Sequence, residues 1–395
     1  MKTLLKLFSF KLLTSLLGLL YSILLVRYFG ASRNIEIYFA AQGLVYMVTS
    51  LSQGGQLAEV FLPEYHKLNT IRKGLGFEAL SVILNRIFLL GTVIIAIIFI
   101  FASFFIQLLV PGFSEEDKEL STLIFRILLP YLYLQLFNSF FMIVLNAEKK
   151  FGRVEFLSVV NYIINILTIL VFYKSLGIWA LVLSLLLGKV IEFFFYVYQL
   201  YRIEFRHSFK LTIKDFDHKS FFKTMKSTLS YVGATQILSI TFTSTISFLP
   251  EGTLAIFKYL QNLSNKIKNL FIQPFLTIFF TRYSLLMQNS KSVSYEFKKN
   301  MISILNVNII VIIGSILLGY YGIDFIWGGE KFNEDNVALA YIFLQFNIVA
   351  VLIGSIGGIY RKMAISNHLG KKPIFLLGHI ATVVSSVLLC IGSPI

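Results

Sequence analysis

The sequence predicts an all-α polytopic membrane protein with about eleven transmembrane helices, on three observations. Apolar runs recur, each near the roughly 20 residues that a hydrocarbon core about 30 Å thick demands of a helix. Hydrophobic residues make up 56% of the chain and charged ones only 14%, with a mean hydropathy of +0.77. Lysine and arginine concentrate in every second connector, the positive-inside pattern of a chain threaded repeatedly through a bilayer. Lipid cannot hydrogen-bond a backbone, so spans must be helices or a closed barrel, and continuous rather than alternating apolar runs choose helices.

The spans fall near residues 9–29, 37–62, 79–109, 121–146, 153–173, 176–200, 228–249, 252–284, 300–323, 337–360 and 373–393. The first follows Lys2, Lys6 and Lys11 and superficially resembles a signal peptide. Without a small-x-small cleavage site, and running into further spans, it is expected to be a retained helix. With the N-terminus in the cytoplasm, the inner segments carry Lys67, Arg72 and Lys73; Lys149, Lys150 and Arg153; seven cations between Arg202 and Lys226; Arg282, Lys291, Lys298 and Lys299; and Arg361, Lys362, Lys371 and Lys372. The outer segments hold only Arg27, Arg33, Lys118, Lys174 and Lys331, and two of them are acidic, Ser114–Glu119 and Glu330 with Glu334 and Asp335.

The basic connector 202–227 divides a six-helix lobe, 1–201, from a second lobe, 228–395, of about five helices. A Pro-Gly turn (Pro111, Gly112) with an acidic loop closes the third span, and a Gly-Gly turn (Gly328, Gly329) with another closes the ninth, which hints at duplication. A complete duplication would need a twelfth span, so the expectation is either a shortened form or a chain that continues.

The net charge of +15 sits mostly in cytoplasmic connectors, where it orients the chain and meets anionic lipid; no separate basic domain exists for nucleic acid. Cys390 is the single cysteine, excluding an internal disulfide or Cys-based metal site, and the five histidines (His66, His207, His218, His368, His379) lack ligand spacing. No Walker A and no hydrolytic constellation can be assembled, so neither an enzyme nor an ATP engine is expected, and no cofactor or metal.

Polar residues inside spans are costly and usually face a bundle interior or water. The eighth span carries Lys258, Gln261, Asn262, Asn265, Lys266, Lys268, Asn269 and Gln273 before Pro274. Lys258, Asn262, Asn265 and Asn269, spaced 4-3-4, share one face, and Lys266 adds a cation one turn beyond Asn262. A packed helix with cross-bundle amides and snorkelling lysines would account for this; a wet, cationic cavity face is the reading taken, because Lys266 lies near mid-span. Ser230, Gln236, Thr241, Thr243, Ser244, Thr245 and Ser247 on the seventh span would continue that wall, although hydroxyls can satisfy themselves on their own helix.

Lys189 and Glu192, three apart, can pair on one face of the sixth span. A structural ion pair is the favoured reading, with proton or sodium coupling through Glu192 the alternative. Gly54 and Gly55 in the second span suit either a hinge for alternating access or close helix packing. Arg86 and Arg126 lie inside the third and fourth spans, where each could line a cavity or snorkel.

Three groups of segments stand out: Gly18-Leu-Leu-Tyr-Ser-Ile-Leu-Leu-Val-Arg-Tyr-Phe-Gly30, then Glu36, Phe39-Ala40, Gly55 and Phe61-Leu-Pro63; Leu109-Val-Pro-Gly-Phe113, Arg126-Ile-Leu-Leu-Pro130, Leu145-Asn-Ala-Glu-Lys-Lys-Phe151 and Asn161; and Gly252-Thr-Leu with Tyr259-Leu-Gln-Asn-Leu263. Together they resemble the MurJ/MviN lipid II flippases. The resemblance implies the multidrug/oligosaccharidyl-lipid/polysaccharide exporter fold, a MATE-like V of two lobes around a cationic cavity. It implies flipping of an undecaprenyl-diphosphate-linked glycan, lipid II, across the bacterial inner membrane by alternating access. Coupling would be to Na+, H+ or the membrane potential, and cell-wall synthesis proteins are expected partners besides anionic lipid. Family arginines of the first, second and seventh-to-eighth helices are replaced, on an ungapped reading, by Tyr21 and Ser22, Thr49 and Ser50, and Gln261 and Asn262; Glu36 keeps its acidic type. Lys258, Lys266 and Lys268, with Arg27, would then hold the diphosphate. The lipid II branch often carries two further helices after the twelfth, which this sequence does not include. An O-antigen or capsule exporter, a cation-coupled drug antiporter and a transport-inactive envelope scaffold are the alternatives.

Overall fold

The computed structural model describes residues 2–50, 55–219, 221–222, 236, 239–268 and 294–349, and within these it is built of helices. In order they are α1 (Lys2–Phe29), α2 (Arg33–Ser50), α3 (Gly55–Ile71), α4 (Leu75–Ile100), α5 (Ala102–Leu109), α6 (Glu115–Leu128), α7 (Pro130–Ala147), α8 (Phe151–Leu176), α9 (Trp179–Tyr201), α10 (239–246), α11 (Thr253–Ile267), α12 (Ser294–Trp327) and α13 (334–349). Six stretches among the described residues are long and apolar enough to cross a membrane: Ser9–Phe29, Leu75–Ile100, Glu115–Ala147, Phe151–Leu176, Trp179–Tyr201 and Met301–Trp327. The all-α membrane class holds. The span expected at 373–393 lies outside the described residues, as do parts of those at 37–62, 228–249, 252–284 and 337–360.

Several spans are built differently from single rods. The stretch expected at 79–109 is α4 and α5, joined at Phe101, whose N–H still reaches the Ile97 carbonyl. The stretch expected at 121–146 begins earlier and breaks at Leu129, because Pro130 has no N–H to continue the ladder and instead opens α7. The acidic segment after Ser114 is the first turn of α6 rather than a loop. The Ser114 hydroxyl caps the Asp117 N–H at 3.2 Å, and Glu115, Glu116 and Asp117 sit at the positive end of the helix dipole. The second acidic segment repeats the device: Asn333 Oδ1 accepts from Asn336 N–H at 3.0 Å, with Glu334 and Asp335 in the first turn of α13.

The chain groups into two compact units. The described part of the first comprises residues 2–21, 34–50, 55–219, 221–222, 236 and 239–249; that of the second comprises 22–33, 250–268 and 294–349. The core of the first unit is aromatic where α3, α4, α7 and α9 meet: Phe61 stands edge-on to Phe140 at 5.5 Å, and Tyr65, Leu68, Leu80, Val144 and Leu200 are buried around them. Tyr65 donates to Glu148 Oε1 at 2.7 Å; burial first, then that bond and the carboxylate's charge, raise its phenol above the ordinary range. Gly112 shows why the Pro-Gly turn needs glycine, since a Cβ there would lie 2.4 Å from the Ser247 carbonyl oxygen. The basic connector begins as a strap on α4: Asn85 Nδ2 donates to the Ser208 and Lys210 carbonyls at 2.8 Å, and Arg86 Nε to that of Leu211 at 2.8 Å. Arg86 thereby ties the connector to α4. Arg126 likewise caps α4, donating to the Phe99 carbonyl at 3.3 Å with its guanidinium over that ring.

The turn between α7 and α8 has an unusual occupant. Lys150 N–H reaches the Leu145 carbonyl (2.8 Å) and Lys149 N–H that of Asn146 (3.0 Å), the paired bonds of a Schellman cap. The left-handed position of that cap, φ 57°, is held by Lys149, where glycine is usual and a side chain costs about 1 kcal/mol.

The second unit is organised around the turn that follows α1. Its carbonyls and amides are engaged from three places: Lys331 Nζ donates to Tyr28 O (2.7 Å), Tyr259 hydroxyl to Gly30 O (2.9 Å), and Arg33 N–H to Glu251 Oε1 (2.8 Å). Gly30 has φ 61°, and a Cβ there would sit 2.4 Å from the Lys331 carbonyl oxygen. Gly30→Ala is therefore expected to destabilise the fold by about 2 kcal/mol or more, read as a lower melting temperature in detergent; an unchanged melting temperature would show that the turn yields freely.

Candidate functional site

α11 is the helix on which the sequence concentrates polar groups, and its packing sorts them. Leu254, Ala255, Ile256, Tyr259, Leu260 and Ser264 are buried. Tyr259 also packs at a tilt against Trp327, ring centres 5.9 Å apart, and Phe332 stands edge-on to Trp327 at 6.0 Å, so this side of the helix is fixed by α12 and the segment after it. Leu263 and Ile267 line an apolar groove of about 670 Å3 with Val307, Ile310, Leu318 and Leu344. The remaining side holds Lys258, Gln261 and Lys266, all half-buried, and Asn262 and Asn265, both exposed. The Lys258 ammonium lies 5.7 Å from the Phe257 ring centre, and Phe257 is steadied edge-on by Phe343 at 5.8 Å. The stripe read from the 4-3-4 spacing is thus a real face of the helix within this unit. Asn269 and Gln273, which would extend it, lie outside the described residues.

Arg27 is exposed in the last turn of α1, within the second unit. Glu36 belongs to the first unit, 1% exposed in the first turn of α2, where the helix dipole favours a carboxylate. Gly54 lies outside the described residues and Gly55 opens α3.

Lys189 and Glu192 on α9 form the expected pair, 2.6 Å apart with side chains 13% and 14% exposed. The pair does not stand alone. Asn161 Nδ2 donates to Glu192 Oε2 at 3.2 Å, Asn165 Nδ2 to Asn161 Oδ1 at 3.3 Å, and Asn138 Nδ2 to the Lys189 carbonyl at 3.4 Å. The Lys189 ammonium sits 5.5 Å from the centre of the Tyr131 ring. Gly188 permits the close approach of α9 to α8, since a Cβ there would fall 2.4 Å from Asn161 Oδ1. Tyrosines extend this polar interior: Tyr46 lies 6.1 Å from Tyr131, Tyr21 lies 6.4 Å from Tyr162, and Gln42 Nε2 donates to the hydroxyls of Tyr38 (2.7 Å) and Tyr46 (3.2 Å). Sequence reasoning found the pair but not its setting; the spacing of Asn161 and Asn165 on one face of α8 was the available signal. Among the described residues no group of His, Cys, Asp and Glu is placed to hold a metal ion.

Removing one charge of such a pair leaves the other buried. Glu192→Gln is expected to cost about 3 kcal/mol, whereas Lys189→Met with Glu192→Leu is expected to be close to neutral. Melting temperatures measure both. Transport by a well-folded double variant assigns the pair a structural role, and loss of transport assigns it to coupling.

The family model described as "Lipid II flippase MurJ" matches residues 25–392. A "Probable lipid II flippase MurJ" of Buchnera aphidicola subsp. Baizongia pistaciae is 23% identical over 394 residues, covering 95% of this chain and 76% of that relative. Among solved structures, "Lipid II flippase MurJ, inward closed conformation" superposes with a TM-score of 0.80 at 21% identity, covering 98% of this chain and 80% of the other. An inward-facing MATE family transporter of the MOP superfamily gives a TM-score of 0.60 at 16% identity, covering 97% of this chain and 96% of the other. The fold is that of these transporters, and the chain belongs to the lipid II flippase MurJ family.

Proposed function

We propose that this chain flips lipid II, a glycan linked to a polyprenyl diphosphate, across the bacterial inner membrane by alternating access. The observation that carries the reading is the family match across residues 25–392. An O-antigen or capsule exporter, a drug antiporter and an inactive scaffold are less well supported, because the matching family is that of the lipid II flippases. The N-terminus is cytoplasmic in this reading, from the basic connectors. Cell-wall synthesis proteins are candidate partners, and Na+, H+ or the membrane potential the candidate driving forces.

The diphosphate is held by Lys258 and Lys266, with Gln261, Asn262 and Asn265 completing its hydrogen bonds and Arg27 as a further cation. What supports this is the division of α11: one side packs through Tyr259 and Leu260, while Asn262 and Asn265 stay exposed on a helix that would otherwise be apolar. Lysine ammonium groups act as point charges, replacing hydration around a diphosphate without the fixed fork of arginine.

The test is rescue of a strain depleted of its own lipid II flippase. Wild type is expected to restore growth and Lys258→Ala/Lys266→Ala, at equal membrane abundance, to fail. Failure of abundant wild type would overturn lipid II as the substrate. Rescue by both would move the diphosphate away from α11.

A further inference from the structure

A second cationic feature lies in the first unit, at the α7–α8 turn. The α7–α8 turn, α8, α9 and the start of α1 line an open pocket of about 380 Å3, formed by Phe10, Lys149, Lys150, Arg153, Phe156 and Gln199, with Gly152 and Phe195 completing it. Three cations within five residues share one pocket, and the nearby carboxylates are turned to other partners. Glu148 accepts from Tyr65, and Glu155 lies 4.0 Å from Lys11. Neither Lys149 nor Lys150 has an ion-pair partner among the described residues. Arg153 is held in place by Gln199, which is itself buried; Nη1 donates to Oε1 at 2.5 Å. The other wall is aromatic: Phe10 stands edge-on to Phe156 at 6.2 Å, and Phe156 lies 6.3 Å from Phe195.

We propose that this cavity binds the phosphate headgroup of an anionic phospholipid of the cytoplasmic leaflet, such as phosphatidylglycerol. Clustered like charges are unfavourable without a counter-anion, and Lys149 accepts a left-handed backbone to join them. Sequence-wide positive-inside charge explains lysines in this connector, but it does not explain a fixed arginine and three phenyl rings around one pocket. A soluble phosphate has no use for the aromatic wall. A phospholipid does: Phe156, 44% exposed, leads from the cations to the apolar surface where acyl chains lie. Arg153 would take the phosphate oxygens through its free N–H groups, and the two lysines would neutralise the remaining charge.

The test uses the full chain in phosphatidylcholine nanodiscs titrated with a fluorescent phosphatidylglycerol, glycerol phosphate being the soluble competitor. Saturable binding is expected, with affinity falling about fivefold for each cation removed in Lys150→Gln and Arg153→Gln. Lys149→Gly removes a cation while giving the cap its usual residue, so its loss of affinity cannot be ascribed to misfolding. Lys174→Gln, at the far end of α8, is the control and should leave binding unchanged. Phosphatidylglycerol should also raise the melting temperature of wild type and not of the triple variant Lys149→Gly/Lys150→Gln/Arg153→Gln. Equal affinity in wild type and triple variant would overturn the site. Competition by glycerol phosphate as strong as that by the lipid would overturn the lipid as its occupant.

Discussion

Hydrocarbon accepts no hydrogen bonds, and the fold is arranged around that refusal. Within the spans, hydroxyls turn back onto their own helices, as Thr92 does to Phe88 O at 2.7 Å and Thr168 to Ile164 O at 2.8 Å. Helix ends facing apolar surroundings borrow donors, as the Phe99 carbonyl borrows Arg126. Charges go in pairs and the pairs in networks: Lys189 neutralises Glu192, and Asn161 takes up acceptor capacity that Lys189 leaves over. The settlement is not complete, since Asn138 Oδ1 and Asn165 Oδ1 are buried without a hydrogen bond among the described residues, but Asn262 and Asn265 differ in staying exposed on their helix.

The connectors solve two problems at once. Acids in connectors help fix orientation only weakly, yet both acidic segments begin helices, α6 behind Ser114 and α13 behind Asn333. The same device in corresponding positions of the two halves strengthens the hint of duplication carried by the Pro-Gly and Gly-Gly turns. Glycine marks the places where backbone meets backbone: Gly112 against Ser247 in one unit, Gly30 against Lys331 in the other. In both, the requirement on the glycine is steric, and at Gly30 charged groups hold the same turn, Lys331 Nζ on the Tyr28 carbonyl and Glu251 Oε1 on the Arg33 N–H.

What the sequence made legible was whatever one element decides alone. The bilayer ruler found the six stretches that are long and apolar enough to cross a membrane among the described residues, and 3.6-residue periodicity found the polar face of α11, because neither depends on a neighbour. Lys189 and Glu192 were legible for the same reason, being one turn apart. The kink at Leu129 had its signal in Pro130, but a span ruler that counts apolar residues runs straight through it. The setting of the ion pair was not legible: Asn138, Asn161 and Tyr131 reach it from other helices, and nothing local to α7 or α8 says that α9 will lie there. Arg86 shows the limit most plainly, since its partner is a carbonyl more than a hundred residues away in the connector.

Lysine in place of arginine on the proposed binding face bears on how a flippase must work. Transport needs a site that binds well enough to draw a diphosphate from water and loosely enough to release it on the other side, so the tightest possible clamp is a poor choice. A bidentate guanidinium fork fixes both distance and plane, and its hold is lost only when both bonds break together. An ammonium on a four-carbon stem keeps its charge while its donors rotate, so contact weakens gradually as the site reopens. The half-buried Lys258 and Lys266, flanked by exposed amides that can exchange their hydrogen bonds with water, suit gradual release. In the proposed mechanism, differential affinity between the two orientations would come from how much water reaches these lysines, because the worth of a point charge depends steeply on its local dielectric.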